Sequence, residues 1–344
     1  MYGGPLRNLA LAGSAEAIGA THGLRLGQPI RAYLADRLDL AGDPYWSGRA
    51  EDPGRILEMA EETLDHHERF SEALSVEMLS MAANAGISPA EAVVVGGFTD
   101  LIDLVRAAGK PGIEEDDCTG VIDATHGLVA QTWDMHASAG KYVYLLDIRP
   151  DDRPRVLVQT TAGCLGQIGM NEAGIAIGIN NLTSIGKPGV TWPFVVRKVL
   201  ETTDLDGAVK VVVDAELAGG HNFMLMGPDG EGCNIEAMPG SYRVTRVETG
   251  SFVHTNHCLS GVTKAEEGLR NPFNEANSDR RLEQGSALSS DLEAFFADAD
   301  INRSAATDHD VATCGAVVMR PGTRSMDAVW GQPGPHPWEH FTIG

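Results

Sequence analysis

The feature that most constrains the fold is a change of hydrophobic period at Cys118. Before it, apolar residues recur at helical spacing; after it, short runs of strand-forming residues alternate with glycine, proline and aspartate turns. Over residues 55–70, Ile56, Met59, Ala60, Leu64 and His67 share one helical face. Ser88-Pro89-Ala90-Glu91 reads as a helix start, with a capping serine, proline in the first turn and glutamate three residues on. A short helix over 100–108 is closed by Gly109 and Pro111. Beyond Cys118, strands are predicted over 121–125, 141–148, 155–161 and 174–179, then two helices over 192–201 and 206–217. A second strand series follows over 222–226, 233–237, 242–247 and 252–255, with a helix over 291–297 and strands over 316–320 and 326–330. Strands, a helix pair, then strands do not alternate as a parallel α/β fold requires. The pattern predicts an α+β fold: two antiparallel sheets with helices packed outside them, preceded by a helix-rich N-terminal segment.

Composition narrows the function. The chain has 344 residues, enough for a sizeable core. Its 48 Asp and Glu against 26 Lys and Arg give a net charge of −22. That charge repels phosphate backbones and anionic lipids, which argues against nucleic-acid and membrane partners and suits a small, amine-bearing substrate. Five cysteines lie far apart with no Cys-x-x-Cys pair, as in a protein that keeps its thiols reduced, and the cytoplasm is the default location. No apolar run approaches the length of a membrane helix. The run 9–13 is short, follows only Arg7 and meets Glu16 almost at once, so it does not read as a leader.

Reactive groups concentrate in Asp116-Asp117-Cys118-Thr119, Gln131-Thr132-Trp133-Asp134 and His254-Thr255-Asn256-His257-Cys258. His254, His257 and Cys258, with Cys233, are suitable zinc donors, yet residues three apart in a strand point to opposite faces, and neither a metal nor a cofactor is predicted. His66-His67 reads as a solvated helix face, and the glycine-rich stretches 163–166 and 227–230 as turns. The charged run 112–117 reads as an exposed loop that gives way to a strand at Cys118. A cysteine there is a half-buried strand residue, the thiol of a Cys–His hydrolase, or a nucleophile that needs no histidine. In the last case, breaking the Asp117–Cys118 bond frees an α-amine with a reference pKa of about 7.7–8.0, able to take the thiol proton. Such a site also needs an anion to orient the ammonium, for which Asp134 is the candidate, and an oxyanion donor, for which Asn256 is.

The chain resembles the acyl-coenzyme A:6-aminopenicillanate acyltransferase family of self-cleaving N-terminal-nucleophile hydrolases. The resemblance is carried by the three segments above together with 161–174, in family order over residues 115–260, and by His22-Gly23, similar to an early His-Gly turn. It implies a four-layer αββα sandwich, with Cys118 as nucleophile for self-cleavage and turnover, Asp134 as the active-site aspartate and Asn256 as the oxyanion asparagine. It also implies that cleavage between Asp117 and Cys118 leaves chains of residues 1–117 and 118–344 that stay associated as one compact unit. Thr161, Gly163, Cys164 and His257 are further candidates for substrate binding. Thr132 stands where the family often has asparagine, and Asp117 where its penicillin-making members have glycine. The activity so implied is hydrolysis, or acyl transfer, of a small N-acyl amine or N-acyl amino acid through a cysteine thioester. A Cys–His hydrolase without self-cleavage and a non-catalytic binding protein on the same fold are the alternatives, and a homo-oligomer is left open.

Overall fold

A computed structural model describes residues 3–106, 117–307 and 310–344. The chain opens with a strand, β1 (Asn8–Gly13), in which buried Leu9 and Leu11 alternate with exposed neighbours. Ser14 then caps a long helix, α1 (Ala15–Gly42), by accepting the Ala17 N–H at 3.3 Å. The helices α2 (Pro44–Ser47), α3 (Pro53–Glu61), α4 (Leu64–Phe70), α5 (Glu72–Ala85), α6 (Pro89–Gly96) and α7 (Phe98–Arg106) follow. The single helix expected over 55–70 is two, because the Thr63 hydroxyl takes the Ala60 carbonyl at 2.7 Å between α3 and α4. The capping box at Ser88 and Glu91 forms at the start of α6. The expected helix end at Gly109 and Pro111, and the loop over 112–116, lie outside the described residues.

His22-Gly23 lies in the middle of α1 and is not a turn. Gly19 and Gly23, one helical turn apart, let α1 press against α5: a Cβ on them would lie 2.1 Å from the Glu77 carbonyl oxygen and 2.3 Å from that of Met81. His67, expected on a solvated face, is buried. Its Nε2 accepts the Thr191 N–H at 3.1 Å and lies 2.8 Å from the Thr191 hydroxyl, and its ring stacks on Phe194 at 4.2 Å. Burial, and then His66, push its pKa down to about 3.

The remainder supplies β2 (Asp117–Asp123), β3 (Leu128–His136), β4 (Val143–Pro150), β5 (Val156–Thr161), β6 (Ile168–Asn171) and β7 (Ala176–Leu182). Then come α8 (Trp192–Val199), α9 (Leu205–Val213), β8 (Gly220–Met226), β9 (Gly232–Ala237), β10 (Tyr242–Val247) and β11 (Ser251–His254). The chain closes with α10 (Gly261–Lys264), α11 (Pro272–Leu288), α12 (Leu292–Ala297), β12 (Val311–Arg320), β13 (Ser325–Trp330) and β14 (Glu339–Thr342). One sheet runs β1-β4-β5-β6-β7-β8-β9-β10 and the other β11-β2-β3-β12-β13-β14.

The two sheets face each other. The Gln131 side chain of β3 accepts the Ile179 N–H of β7 at 2.8 Å and donates to the same residue's carbonyl. Gln159 of β5 donates to the Val329 carbonyl of β13 at 2.8 Å. Outside the six-stranded sheet, Phe295 and Phe296 of α12 join Val121, Ala130, Val253 and Val318 in a separate apolar cluster, with α11 against β2 and β11. On the other side α9 packs on β8 and β9. The result is the four-layer αββα sandwich, with one departure from the expected antiparallel sheets: β1 pairs parallel to β4. The N-terminal segment thus contributes a strand as well as helices. It is also tied in by buried polar pairs, among them Glu77–Arg197 at 2.6 Å, Asp103 with the Ser184 hydroxyl at 2.7 Å and Asp100 with the Trp192 N–H at 2.8 Å.

Candidate active site

Neighbouring strands β2 and β3 pair Asp117 with Asp134, Cys118 with Trp133 and Thr119 with Thr132. Directly opposed residues share a sheet face, and successive residues alternate between faces. Cys118 and Trp133 therefore look into the sandwich, where they line a cavity of about 40 Å³ with Tyr33, Phe98, Thr161 and Asn181. Asp117, Thr119, Thr132 and Asp134 look the other way, towards α11. The strand begins at Asp117, four residues before the strand expected over 121–125, so Asp117 is a buried strand residue and not the end of an exposed loop.

The Cys118 N–H donates to Asn256 Oδ1 at 2.8 Å. Arg281 Nη2 donates to the same oxygen at 3.0 Å, and Asn256 Nδ2 donates to the Asn181 carbonyl at 3.1 Å. Two donors on one side and a carbonyl on the other fix which way the amide points. Asn256 is thus held against the backbone nitrogen of Cys118. Its loop is clamped by Glu236, which accepts from the N–H groups of Leu259 at 2.7 Å and Ser260 at 3.1 Å and from the Thr263 hydroxyl, and lies 3.0 Å from His254 Nε2. Burial opposes ionisation of Glu236, but His254, Thr263 and the Leu259 N–H outweigh it and hold its carboxyl at about 2.

Asp134 is fully buried and accepts from the Thr313 hydroxyl at 2.6 Å and, more distantly, from that of Thr132 at 3.5 Å. Burial pushes its pKa up to about 7, against the pull of Thr313 and of the Arg281 charge. Asp134 stands across the strand pair from Asp117, not from Cys118. Its link to β2 runs through Thr132, whose hydroxyl accepts the Thr119 N–H at 3.3 Å.

Two arginines not singled out from the sequence complete the cluster. Arg281 on α11 is fully buried and donates to the Asp117 carboxylate at 2.8 Å, the Cys118 carbonyl at 2.8 Å, the Thr119 hydroxyl at 3.0 Å and Asn277 at 2.7 Å, besides Asn256. Burial lowers its pKa to about 10, so it remains charged at neutral pH. Arg303 pairs with the other oxygen of Asp117. The available signal was a polar stripe: Asn274, Asn277, Ser278 and Arg281 recur at helical spacing, and all are buried on α11. Asn180, also not singled out, donates to the Cys118 carbonyl at 3.3 Å.

Of the other residues read from the sequence, Thr161 lines the cavity with Cys118. Gly163, Cys164 and His257 are not brought to it. Gly163 has φ +86°, a left-handed turn conformation that suits glycine, and its N–H donates to His22 Nε2 at 3.1 Å. The Cys164 thiol faces the Gly166 carbonyl at 3.6 Å, and burial raises its pKa to about 11. His257 Nδ1 lies 2.8 Å from the Ser278 hydroxyl, behind Asn256. His221 lines the cavity, but its Nε2 is 3.2 Å from the Thr99 hydroxyl and burial lowers its pKa to about 3.

Fold and site together define an αββα sandwich with a buried thiol at the start of a central strand, facing a small cavity between the sheets. Residues 122–310, more than half of the chain, match the family described as acyl-coenzyme A:6-aminopenicillanic acid acyl-transferase, and the chain belongs to that family. A curated relative, the acyl-coenzyme A:6-aminopenicillanic-acid-acyltransferase 40 kDa form of Emericella nidulans, is 30% identical over 149 residues. The match spans 42% of each chain, about two fifths of the relative's length. Among solved structures, a variant of conjugated bile acid hydrolase from Clostridium perfringens aligns with a TM-score of 0.47 at 10% identity, over 65% of this chain and 92% of that one. Penicillin V acylase from Agrobacterium tumefaciens aligns with a TM-score of 0.40 at 10% identity, over 66% and 86%. Among the described residues no single helix is long and apolar enough to cross a membrane.

Proposed function

We propose that the chain is an N-terminal-nucleophile amidohydrolase, competent in acyl transfer, that activates itself by cutting the Asp117–Cys118 bond. The observation that carries this reading is the environment of Cys118. Its thiol faces the cavity, while its backbone nitrogen, the future catalytic amine, is hydrogen-bonded to Asn256 Oδ1 at 2.8 Å. Family membership supports acyl transfer as the reaction class.

In self-cleavage the Cys118 sulfur bonds to the Asp117 carbonyl carbon, the carbon–nitrogen bond breaks, and the thiol proton passes to the departing nitrogen. Water then adds to the thioester carbon, the carbon–sulfur bond breaks, and Asp117 leaves as a carboxylate while the sulfur regains a proton. In turnover the freed amine takes the thiol proton, and the thiolate bonds to the acyl carbon of a small N-acyl amine or N-acyl amino acid. The carbon–nitrogen bond breaks as the amine returns the proton to the leaving nitrogen, and water or an acceptor amine then displaces the sulfur, which regains a proton. Asn256 Oδ1 then orients the amine, a different role from the oxyanion donor expected for it, and Asn181, which also lines the cavity, is the better-placed amide for the oxyanion. Asp134 acts on the amine from the opposite strand once Asp117 has left. His221 is poorly suited to serve as the base of a Cys–His pair, because burial disfavours its protonated form.

Intact-mass analysis of purified wild-type and Cys118→Ala protein tests the proposal. Two fragments meeting at 117/118 in the wild type, an uncut Cys118→Ala chain, and amidase activity confined to the cut protein are the expected results. Full activity from an intact chain would refute the mechanism.

A further inference from the structure

A buried charge cluster lies one residue from the thiol, on the opposite face of β2. The Asp117 carboxylate is buried and gripped by two guanidiniums, Arg281 on one oxygen at 2.8 Å and Arg303 on the other. Arg281 is fully buried, and its remaining acceptors, the Cys118 carbonyl, Thr119, Asn256 and Asn277, are all neutral. Among the described residues, Asp117 is therefore the one carboxylate that Arg281 binds directly. Asn256 Oδ1 touches both Arg281 Nη2, at 3.0 Å, and the Cys118 nitrogen, at 2.8 Å, so the grip adjoins the nitrogen that becomes the catalytic amine. Arg303, about one fifth exposed, gives it a side open to solvent.

We propose that Arg281 and Arg303 form a carboxylate subsite that Asp117 fills in the uncut chain and that a carboxylate of the substrate fills in the cut enzyme. The inference rests on the self-cleavage reading above and deepens it by naming the substrate class. Taking Asp117 out of the grip leaves a buried guanidinium without the carboxylate it binds, and a buried unpaired charge is costly. An incoming carboxylate restores the pair, and the planar fork of arginine suits that group. The uncut chain also shows what the subsite accepts. The acyl donor in self-cleavage is Asp117 itself, with its carboxylate two carbons from the carbonyl under attack, the pattern of a succinyl half-amide. A carboxylate on the amine side, as in an N-acyl amino acid, is the other source of the same group.

Binding can be read without turnover or cleavage. In Cys118→Ala protein, Asp117 fills the grip; in Asp117→Gly/Cys118→Ala protein the grip is emptied by substitution. Titration calorimetry with succinate, and with its uncharged diamide as control, is expected to show binding of succinate alone, to the double variant and not to Cys118→Ala. Adding Arg303→Gln is expected to weaken that binding by about tenfold or more, as loss of a charge-assisted contact does. Equal binding of succinate by the filled and emptied proteins, or no binding by either folded protein, would overturn the subsite.

A second measurement uses cut wild-type enzyme, whose amine-bearing chain carries no Asp117. One pair of substrates is an N-succinyl amine and its succinamoyl counterpart; the other is an N-acyl amino acid and its amide. A preference of about tenfold or more for the charged member of either pair, lost in Arg303→Gln through KM, supports the subsite and tells which side of the scissile amide bears the carboxylate. Equal kcat/KM within both pairs would overturn it. A wild-type chain that stays intact while the double variant binds succinate would refute self-cleavage and leave the grip established.

Discussion

Replacing Arg281 by methionine separates a buried charge pair from ordinary packing. In a Cys118→Ala background the chain stays uncut under the proposed mechanism, so Asp117 remains in the grip. The substitution keeps much of the side-chain volume and removes five hydrogen bonds, to Asp117, the Cys118 carbonyl, Thr119, Asn256 and Asn277. These losses are unequal. The Cys118 carbonyl still has Asn180, and Asn256 Oδ1 still has the Cys118 N–H. Asp117 keeps Arg303 on one oxygen, but its other oxygen is left buried without its donor. Removing one partner of a buried pair costs about 3–5 kcal/mol. Losing the neutral contacts alone costs nearer to about 1–2 kcal/mol. Urea unfolding of the background, Arg281→Met, Asp117→Asn and the double substitution therefore should give a coupling of about 2–3 kcal/mol at unchanged m-value. A coupling below about 0.5 kcal/mol would refute the buried pair as a stabilising link between α11 and β2.

Burial holds Asp134 at about 7, above its ordinary 3.8, so its protonated form favours the folded state: the contribution is fully present below pH 3.8 and is lost as pH rises through 7. Uncut protein should lose about 4 kcal/mol over that range from this group, Asp134→Asn should remove that part of the decline, and parallel stability curves for the two proteins would refute it. The Glu77–Arg197 pair joins α5 to α8, both side chains being about 2% exposed. Arg197→Met alone should cost about 3–5 kcal/mol and Glu77→Leu/Arg197→Met much less, checked by thermal unfolding; equal losses would argue against a pair. In cut protein the single substitution should also weaken co-purification of the two fragments.

The fold was largely legible because period is a local property. Most of the strands and helices after Cys118 were readable from alternation and turn residues, and the two-layer sheet arrangement followed from their order, but β3, β6, β14 and the long helix α11 were not expected. Three things were not local. β1 became a parallel edge strand only because β4 offered it an edge, which a five-residue apolar run does not announce. The helix expected over 55–70 broke at a threonine whose hydroxyl took a backbone carbonyl. His67 looked solvated among charged neighbours, yet it meets the start of α8, 124 residues away. In the site, Cys118 and Asn256 were readable because a cysteine and an asparagine at strand ends are chemically suggestive, and the structure brings them within 2.8 Å through the Cys118 nitrogen. Arg281 was not, since no helix was expected over 272–288, where so polar a segment shows little apolar period and its Asn274, Asn277 and Ser278 stripe faces inward only in the folded chain.

The alternation of β2 divides the polar groups between two faces, and this gives Asp117 a place of its own beside the proposed cut. On the cavity face stands the Cys118 thiol among Trp133, Phe98 and Tyr33; on the α11 face stand Asp117, Asp134, Arg281 and Arg303. Before cleavage the second face carries two carboxyl groups against two guanidiniums, and the Cys118 nitrogen is an uncharged amide. The proposed cleavage would remove the Asp117 carboxylate from β2 and add a basic amine beside Asn256. Both changes make the surroundings of Asp134 more positive, and a nearby cation favours the ionised carboxyl. The same event that creates the amine should therefore lower the pKa of Asp134 from about 7 and supply the amine with its counter-ion. Carboxyl titration by infrared difference spectroscopy on uncut Cys118→Ala and cut wild-type protein, each compared with its Asp134→Asn form, should show that downward shift; an Asp134 that titrates near 7 in both would remove it from any role with the amine.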